Sequence, residues 1–404
     1  MCLHYRQTLI MLMILLLGCS GKEISQKLEV FDEVSDVENE FKTKELRLRQ
    51  TAAIIAAELD DRQLAAQVII SGIDGRGELN EDMKNIFTQC PAGAVMFFRY
   101  NLATDSEAIQ KHITETVEFI ANEYEASIMP FIAIDHEGGS VNRFMPEVAP
   151  LPAAGSYIKL MEEQSLSKEE IIQQIFKDSS SSGKIIKSLG FNMNFAPVAE
   201  YLNDDNQIFL ESRAYSKDIE FTSDAAAAFI DGMKHNGILC VVKHFPGIAG
   251  PDPHFFPSKL EGGKEKLNDL ASPFAALIRN SYAQAIMVSH SLMPAIDNDN
   301  VASLSKIVID TWLRHELGFN GIIICDDFSM AAATNNEKLS QETLVVRSLV
   351  AGADMVMAWP PDIKNTHMAI LTALEDGRLK RERLVEAAEK IIYEKLQMGL
   401  INCK

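Results

Sequence analysis

Short apolar runs and longer amphipathic stretches alternate along the chain from about residue 55 onward. Eight runs read as strands: AAQVIISGI (65–73), AGAVMFFR (92–99), MPFIAID (129–135), FNMNFAPV (191–198), ILCVVKHF (238–245), QAIMVSH (284–290), GIIICDD (321–327) and GADMVMAW (352–359). They are nearly continuous in apolar residues rather than alternating. That is the pattern of strands buried on both faces of a parallel sheet. Between them the period shifts to that of helices, as in SEAIQKHITETVEFIANEY and SDAAAAFIDGMKHNG. Eight strand–helix units in about 340 residues predict an α/β fold, a (β/α)₈ TIM-type barrel forming a single catalytic domain over residues 53–404. An open doubly wound sheet is the alternative. The final pattern, RERLVEAAEKIIYEKLQMGL, predicts a helix packed outside the barrel.

The N-terminal segment has another texture. MCLHYRQTLIMLMILLLGCS carries Arg6 and then an apolar run from Leu9 to Leu17, too short for a stable transmembrane helix. It ends in Leu16-Leu17-Gly18-Cys19, which resembles a bacterial lipobox. Residues 1–19 are therefore expected to be a lipoprotein signal peptide, with Cys19 the lipidated residue. Residues 20–52 are charged and polar and read as a partly helical tether. The expected location is the bacterial cell envelope, lipid-anchored on the periplasmic side or the outer surface. Membrane contact is expected through the anchor only.

Composition narrows the partners. The 404 residues are 47% apolar, ample for a large core, and the net charge is −19. Such acidity repels phosphates and argues against nucleic acid. It leaves neutral substrates open. Six cysteines are scattered without a CxxC or Cys/His cluster, so neither zinc nor a disulfide framework is expected. Cys240 and Cys325 fall in or at the end of apolar runs, where buried free thiols are common.

Polar groups gather where the apolar runs stop. The third run ends in Asp135-His136-Glu137-Gly138-Gly139, the fifth in Lys243-His244, the sixth in Ser289-His290 and the seventh in Asp326-Asp327. In a barrel these C-terminal ends face one mouth, where sites are built. The loop after the fifth run, PGIAGPDPHFFP, adds Asp252 and His254.

The segments IDHEGG with Val141 and Arg143, NFAPV, KHFPG with the DPH after it, and GFNGIIICDDFSM together resemble glycoside hydrolase family 3. The resemblance runs from about residue 60 to 400 and is strongest to the single-barrel bacterial β-N-acetylglucosaminidase branch. It implies a (β/α)₈ barrel acting as a retaining exo-β-N-acetylhexosaminidase on terminal β-linked N-acetylglucosamine, in cell-wall fragments or chitin-type oligosaccharides. It implies no cofactor, and a monomer needs no protein partner. Carried over residue by residue, Asp326 is the nucleophile, and His254 aided by Asp252 is the acid/base group. Asp135, Arg213 in ESRAYS, Lys243 and His244 hold the sugar. His290 is expected at the mouth, with Met330 bordering the pocket and Asp327 in a supporting role. A nucleophilic carboxylate must be ionised, so nearby donors or cations are expected to hold its pKa down.

Several positions depart from the family pattern. KHFPGHG becomes KHFPGIAG, with Ile248 in place of the histidine. The interval from Lys243 to Asp252 is two residues shorter, and Pro253 stiffens the step between Asp252 and His254. His136, Ser140, Glu200 and Cys325 stand where the family has other residues. These departures keep two alternatives open. One is a catalytically weak or inactive carbohydrate-binding lipoprotein. The other is a related β-glycosidase or glycoside phosphorylase, since a histidine acid/base does not repel phosphate as a carboxylate would.

Overall fold

All eight apolar runs form strands in a computed structural model of the chain, which describes residues 43–103, 105–124, 127–144, 148–334 and 339–401. The strands are β1 Ile69–Gly72, β2 Ala94–Phe97, β3 Phe131–Ile134, β4 Met193–Asn194, β5 Leu239–Phe245, β6 Ala285–Val288, β7 Ile322–Cys325 and β8 Val356–Ala358. Each pairs in parallel with the next, as in Ile70 with Ala94 and Ile322 with Ala285. β8 returns to β1 through Ile69 and Val356, and the bridge between Ile324 and Met355 closes the ring. The expected (β/α)₈ barrel is therefore the fold, and the open sheet is not. The leader with Cys19 and the tether as far as residue 42 lie outside the described residues. Residues 43–51 are helical.

The strands are buried on both faces because helices cover the outside and side chains fill the inside. Every residue of β1, β2, β3 and β7 is buried. Outside, the helices Ser106–Ala121, Lys168–Ser188, Ile219–Lys234, Lys264–Arg279 and Arg381–Gln397 turn one apolar stripe inward. Asp105, Ser167 and Asp218 cap the first three of these helices with their side chains. Ser167 caps Glu170 N–H and Glu170 reaches back to the Ser167 N–H, a reciprocal pair. Cys240 and Cys325 are buried free thiols, as expected, and so is Cys90.

On either side of β6 the chain adds the strands of a small sheet, Ser258–Lys259 before it and Ser291–Met293 and Asp297–Val301 after it. It has no counterpart among the eight runs, because its residues are mostly polar and its strands are two to five residues long.

Candidate active site

The strand ends do converge. Asp135 after β3, Lys243 and His244 within β5, and Asp326 after β7 line one cavity of about 680 Å³, with Arg213, Asp252 and His254 contributed by loops. A larger groove of about 890 Å³ lies between the outer helices, lined by residues such as Lys168, Glu220 and Tyr282. It meets no strand end, so volume alone does not identify the site.

The DHEGG turn after β3 shows how local sequence aims these groups. Gly138 and Gly139 have φ of +94° and +55°. A Cβ at Gly138 would lie 2.3 Å from the Pro152 carbonyl oxygen, and one at Gly139 would lie 2.5 Å from Cβ of Ala153. Only glycine permits this turn. It brings Asp135 and Glu137 to the same cations. Lys243 Nζ donates to Asp135 Oδ1 at 2.7 Å and lies 2.6 Å from Glu137 Oε1. Arg213 grips Glu137 with two parallel bonds of 2.8 Å, and Arg143 donates to Asp135 Oδ2 at 2.5 Å. Burial alone would raise the Glu137 pKa, but Lys243 and Arg213 overcome it and hold the carboxyl down at about 2. Lys243 has three N–H donors and Arg213 five. Each therefore keeps donors for a ligand after serving these carboxylates.

His244 answers to Glu200. Its Nδ1 lies 2.8 Å from Glu200 Oε1, and the other carboxyl oxygen accepts the Ile248 N–H at 2.7 Å. Burial pushes the Glu200 pKa up to about 8. Burial, with the charges of Lys243 and Arg213, drives the His244 ring well below the usual imidazole value. The pair thus holds one proton between them.

Asp326 sits at the root of the pocket, 9% exposed. Its Oδ1 accepts the Asp327 N–H at 2.9 Å. Its pKa is shifted upward, not down as expected. Burial is the largest cause, and the opposing influence of His290, the Asp327 N–H and Lys243 does not cancel it. Asp327 is the supporting residue. It binds the Ser329 N–H and hydroxyl and accepts the Trp359 indole N–H at 2.7 Å.

Asp252 and His254 form the expected dyad, Oδ1 to Nδ1 at 2.7 Å, and the same oxygen takes the His254 N–H at 3.0 Å. These bonds hold the Asp252 pKa below its ordinary value against the opposing effect of partial burial. The shortened loop is fastened at several points. Gly250 N–H donates to the Asp205 carbonyl at 2.8 Å. The Pro253 and His254 carbonyls accept N–H groups of Ala332 and Ala331, just past Asp326 in sequence, at 3.2 and 3.1 Å.

One expected ligand stands elsewhere. His290 is not on the cavity wall. It is 2% exposed, bonded to the Ser303 hydroxyl at 2.6 Å and the Asp327 carbonyl at 3.0 Å, and stacked on Phe328. It braces the segment carrying Asp327 from behind. His136 also turns outward, onto the Ser182 hydroxyl at 2.9 Å, and burial lowers its pKa to about 4. Met330 borders the cavity as expected. Glu137, Glu200 and Arg143 are participants that the sequence reading left without a role. The signal for Glu137 was its place at a strand end beside Asp135. No group of three or more His, Cys, Asp or Glu among the described residues could hold a metal ion. No helix among them is long and apolar enough to cross a membrane.

A model of the glycosyl hydrolase family 3 N-terminal domain matches residues 42–393. A beta-hexosaminidase of Idiomarina loihiensis is 32% identical over 298 residues, covering 72% of this chain and 83% of its own length. Beta-hexosaminidase A of Pseudoalteromonas piscicida is 27% identical over 344 residues, 79% of this chain. Among solved structures, a glycoside hydrolase family 3 beta-N-acetylglucosaminidase from Paenibacillus sp. str. FPU-7 superposes with a TM-score of 0.75 at 26% identity over 85% of this chain. The chain spans 56% of the Pseudoalteromonas protein and 63% of the Paenibacillus one.

Proposed function

The chain belongs to glycosyl hydrolase family 3, and we propose that it is a retaining exo-β-N-acetylglucosaminidase acting on cell-wall fragments or chitin-type oligosaccharides. Asp326 attacks the anomeric carbon while His254 gives its proton to the departing glycosidic oxygen. The bond to the leaving sugar breaks as the bond to Asp326 forms. His254, now neutral, then takes a proton from water, whose oxygen opens the glycosyl ester and releases Asp326. Asp252 keeps the His254 Nδ1–H engaged, so Nε2 is the nitrogen that exchanges the proton. Asp135, Lys243 and Arg213 hold the sugar through fixed, charge-assisted contacts.

One observation carries this reading. The Asp252–His254 dyad and Asp326 line the same cavity, and the dyad loop is hydrogen-bonded through its own backbone to the segment that follows Asp326. The shared cavity supports reading His254, with Asp252 bonded to it, as the acid/base group and buried Asp326 as the nucleophile. The homology of the beta-hexosaminidases supports the choice of sugar.

The test is hydrolysis of p-nitrophenyl β-N-acetylglucosaminide by wild type, Asp326→Asn and His254→Ala, with the first-formed anomer read by NMR. Turnover with the β-anomer first, abolished in Asp326→Asn, is expected. An α-anomer first, or near-normal turnover in Asp326→Asn, removes the covalent mechanism.

The same proposal includes attachment through Cys19 to the cell envelope, a reading supported by the LLGC sequence. Cys19→Ser is expected to move the protein from the membrane to the soluble fraction. Unchanged partitioning would end that part of it.

A further inference from the structure

Three large apolar side chains stand exposed around the acid/base group. Phe255 is 74% exposed, Phe256 51% and Ile208 68%. Single exposed apolar residues are ordinary, but a cluster at the rim of a polar cavity marks a binding surface. Phe256 and Ile208 line the cavity that holds Asp326, and Phe255 follows His254 directly. Ile208 lies in the short helix Gln207–Leu210 on the loop after β4.

The backbone beneath these residues is held in place. The N–H groups of Phe255 and Phe256 both donate to the Asp252 carbonyl at 3.1 Å. Gly250 N–H binds the Asp205 carbonyl, joining the phenylalanine loop to the segment that leads into Ile208. Pro251 and Pro253 fix two further φ angles. A surface already ordered loses little entropy when something lies on it.

Chemistry identifies the occupant. His254 hands its proton to the glycosidic oxygen, so that oxygen must come within hydrogen-bond reach of the ring. The group on the far side of the oxygen then lies against the residues flanking His254. A β-linked pyranose presents a flat face of C–H groups, which suits an aromatic ring, and keeps its hydroxyls on the edge in water. We infer that Phe256, with Phe255 and Ile208, forms a platform for the leaving sugar ring and makes the enzyme prefer a second saccharide unit over a small alkyl aglycone. This inference rests on the glycosidase reading above.

The experiment compares kcat/KM on chitobiose with that on methyl β-N-acetylglucosaminide. Phe256→Ala is expected to lower the chitobiose-to-methyl ratio about tenfold, the loss falling on KM for chitobiose. Ile208→Ala is expected to lower the ratio less, and Phe256→Tyr to restore it. A ratio that does not change in folded Phe256→Ala overturns the platform and leaves the hydrolase standing. An equal loss on both substrates also overturns it, since that is a structural effect on the dyad loop. Absence of turnover of both substrates by wild type overturns the hydrolase reading and the platform together.

Discussion

The barrel carries a cluster of buried opposite charges at each end, and they behave differently. At the base, before β8, fully buried Asp354 is held by Arg314 and by Arg383 at 2.6 Å, and it accepts the Ile323 N–H at 2.8 Å. Arg314 also binds the Phe319 and Gly321 carbonyls, and Arg383 the Ala353 carbonyl. At the mouth, Asp135 and Glu137 are held by Lys243, Arg213 and Arg143. The residue types are the same and the distances are similar. The base cluster spends most of its donors on backbone carbonyls, and its residues do not line the pocket at the mouth. The mouth cluster faces an open pocket of about 680 Å³ with donors to spare. A buried ion network therefore reads as function only where it opens onto a space that a ligand can enter.

The sharpest way to break this comparison is at Asp326. Asp326→Asn should lower kcat on the order of 10⁴-fold or more, as loss of a nucleophile does. The melting temperature should hold or rise, because a neutral amide is less costly to bury than a carboxylate. A matching fall in melting temperature would show that the mouth is also structural. Asp354→Asn is the converse. It leaves Arg314 uncompensated in the interior and Arg383 with only the Glu386 carboxylate, and should cost about 3–5 kcal/mol in urea unfolding. The kcat of the protein that remains folded should stay near wild type, and a large kcat loss would dissolve the distinction between the ends. His254→Ala should reduce turnover by roughly 10²–10⁴-fold without changing stability, since its side chain is more than half exposed.

The smallest effect concerns pH. Glu200 has a raised pKa, so its contribution to stability is present at low pH and is lost as pH rises through about 8. His244 has a depressed pKa, so it costs stability below 6.5, where the unfolded ring would be protonated. Below 6.5 the unfolded ring gains a proton while the folded pair already holds one on Glu200, so the two slopes oppose each other. Above 6.5 only the folded pair keeps its proton. Stability should therefore fall from pH 6.5 to 8 in wild type but not in Glu200→Gln. Urea midpoints across that window check it, and parallel curves would mean that the proton is not shared.

Much was legible in one dimension. Eight continuous apolar runs sufficed for the parallel barrel, because strands covered on both faces have no polar side to display. The polar residues at their ends placed Asp135, Lys243, His244 and Asp326 at one mouth for the same reason. Asp252 and His254 were legible through the family resemblance, and their spacing of two residues in a turn lets them bond.

Other features depended on packing across the barrel. Glu137 meets Arg213 over 76 positions and Glu200 meets His244 over 44, and no local pattern specifies such pairs. His290 ends a strand like its neighbours, yet it faces Ser303 and the Asp327 backbone, because the turn at 302–304 returns to the strand end and bonds Ser303 N–H to the Ser289 carbonyl. The upward shift of the Asp326 pKa is likewise tertiary. Burial at the root of the pocket raises it, and burial is set by how the barrel packs around that position. The sequence by itself determined the barrel and the residues at its mouth, because burial and strand direction follow from the order of apolar and polar residues. Only the tertiary structure decided which of those residues pair with each other and which face the pocket, because those choices are made by three-dimensional neighbours far apart in the chain.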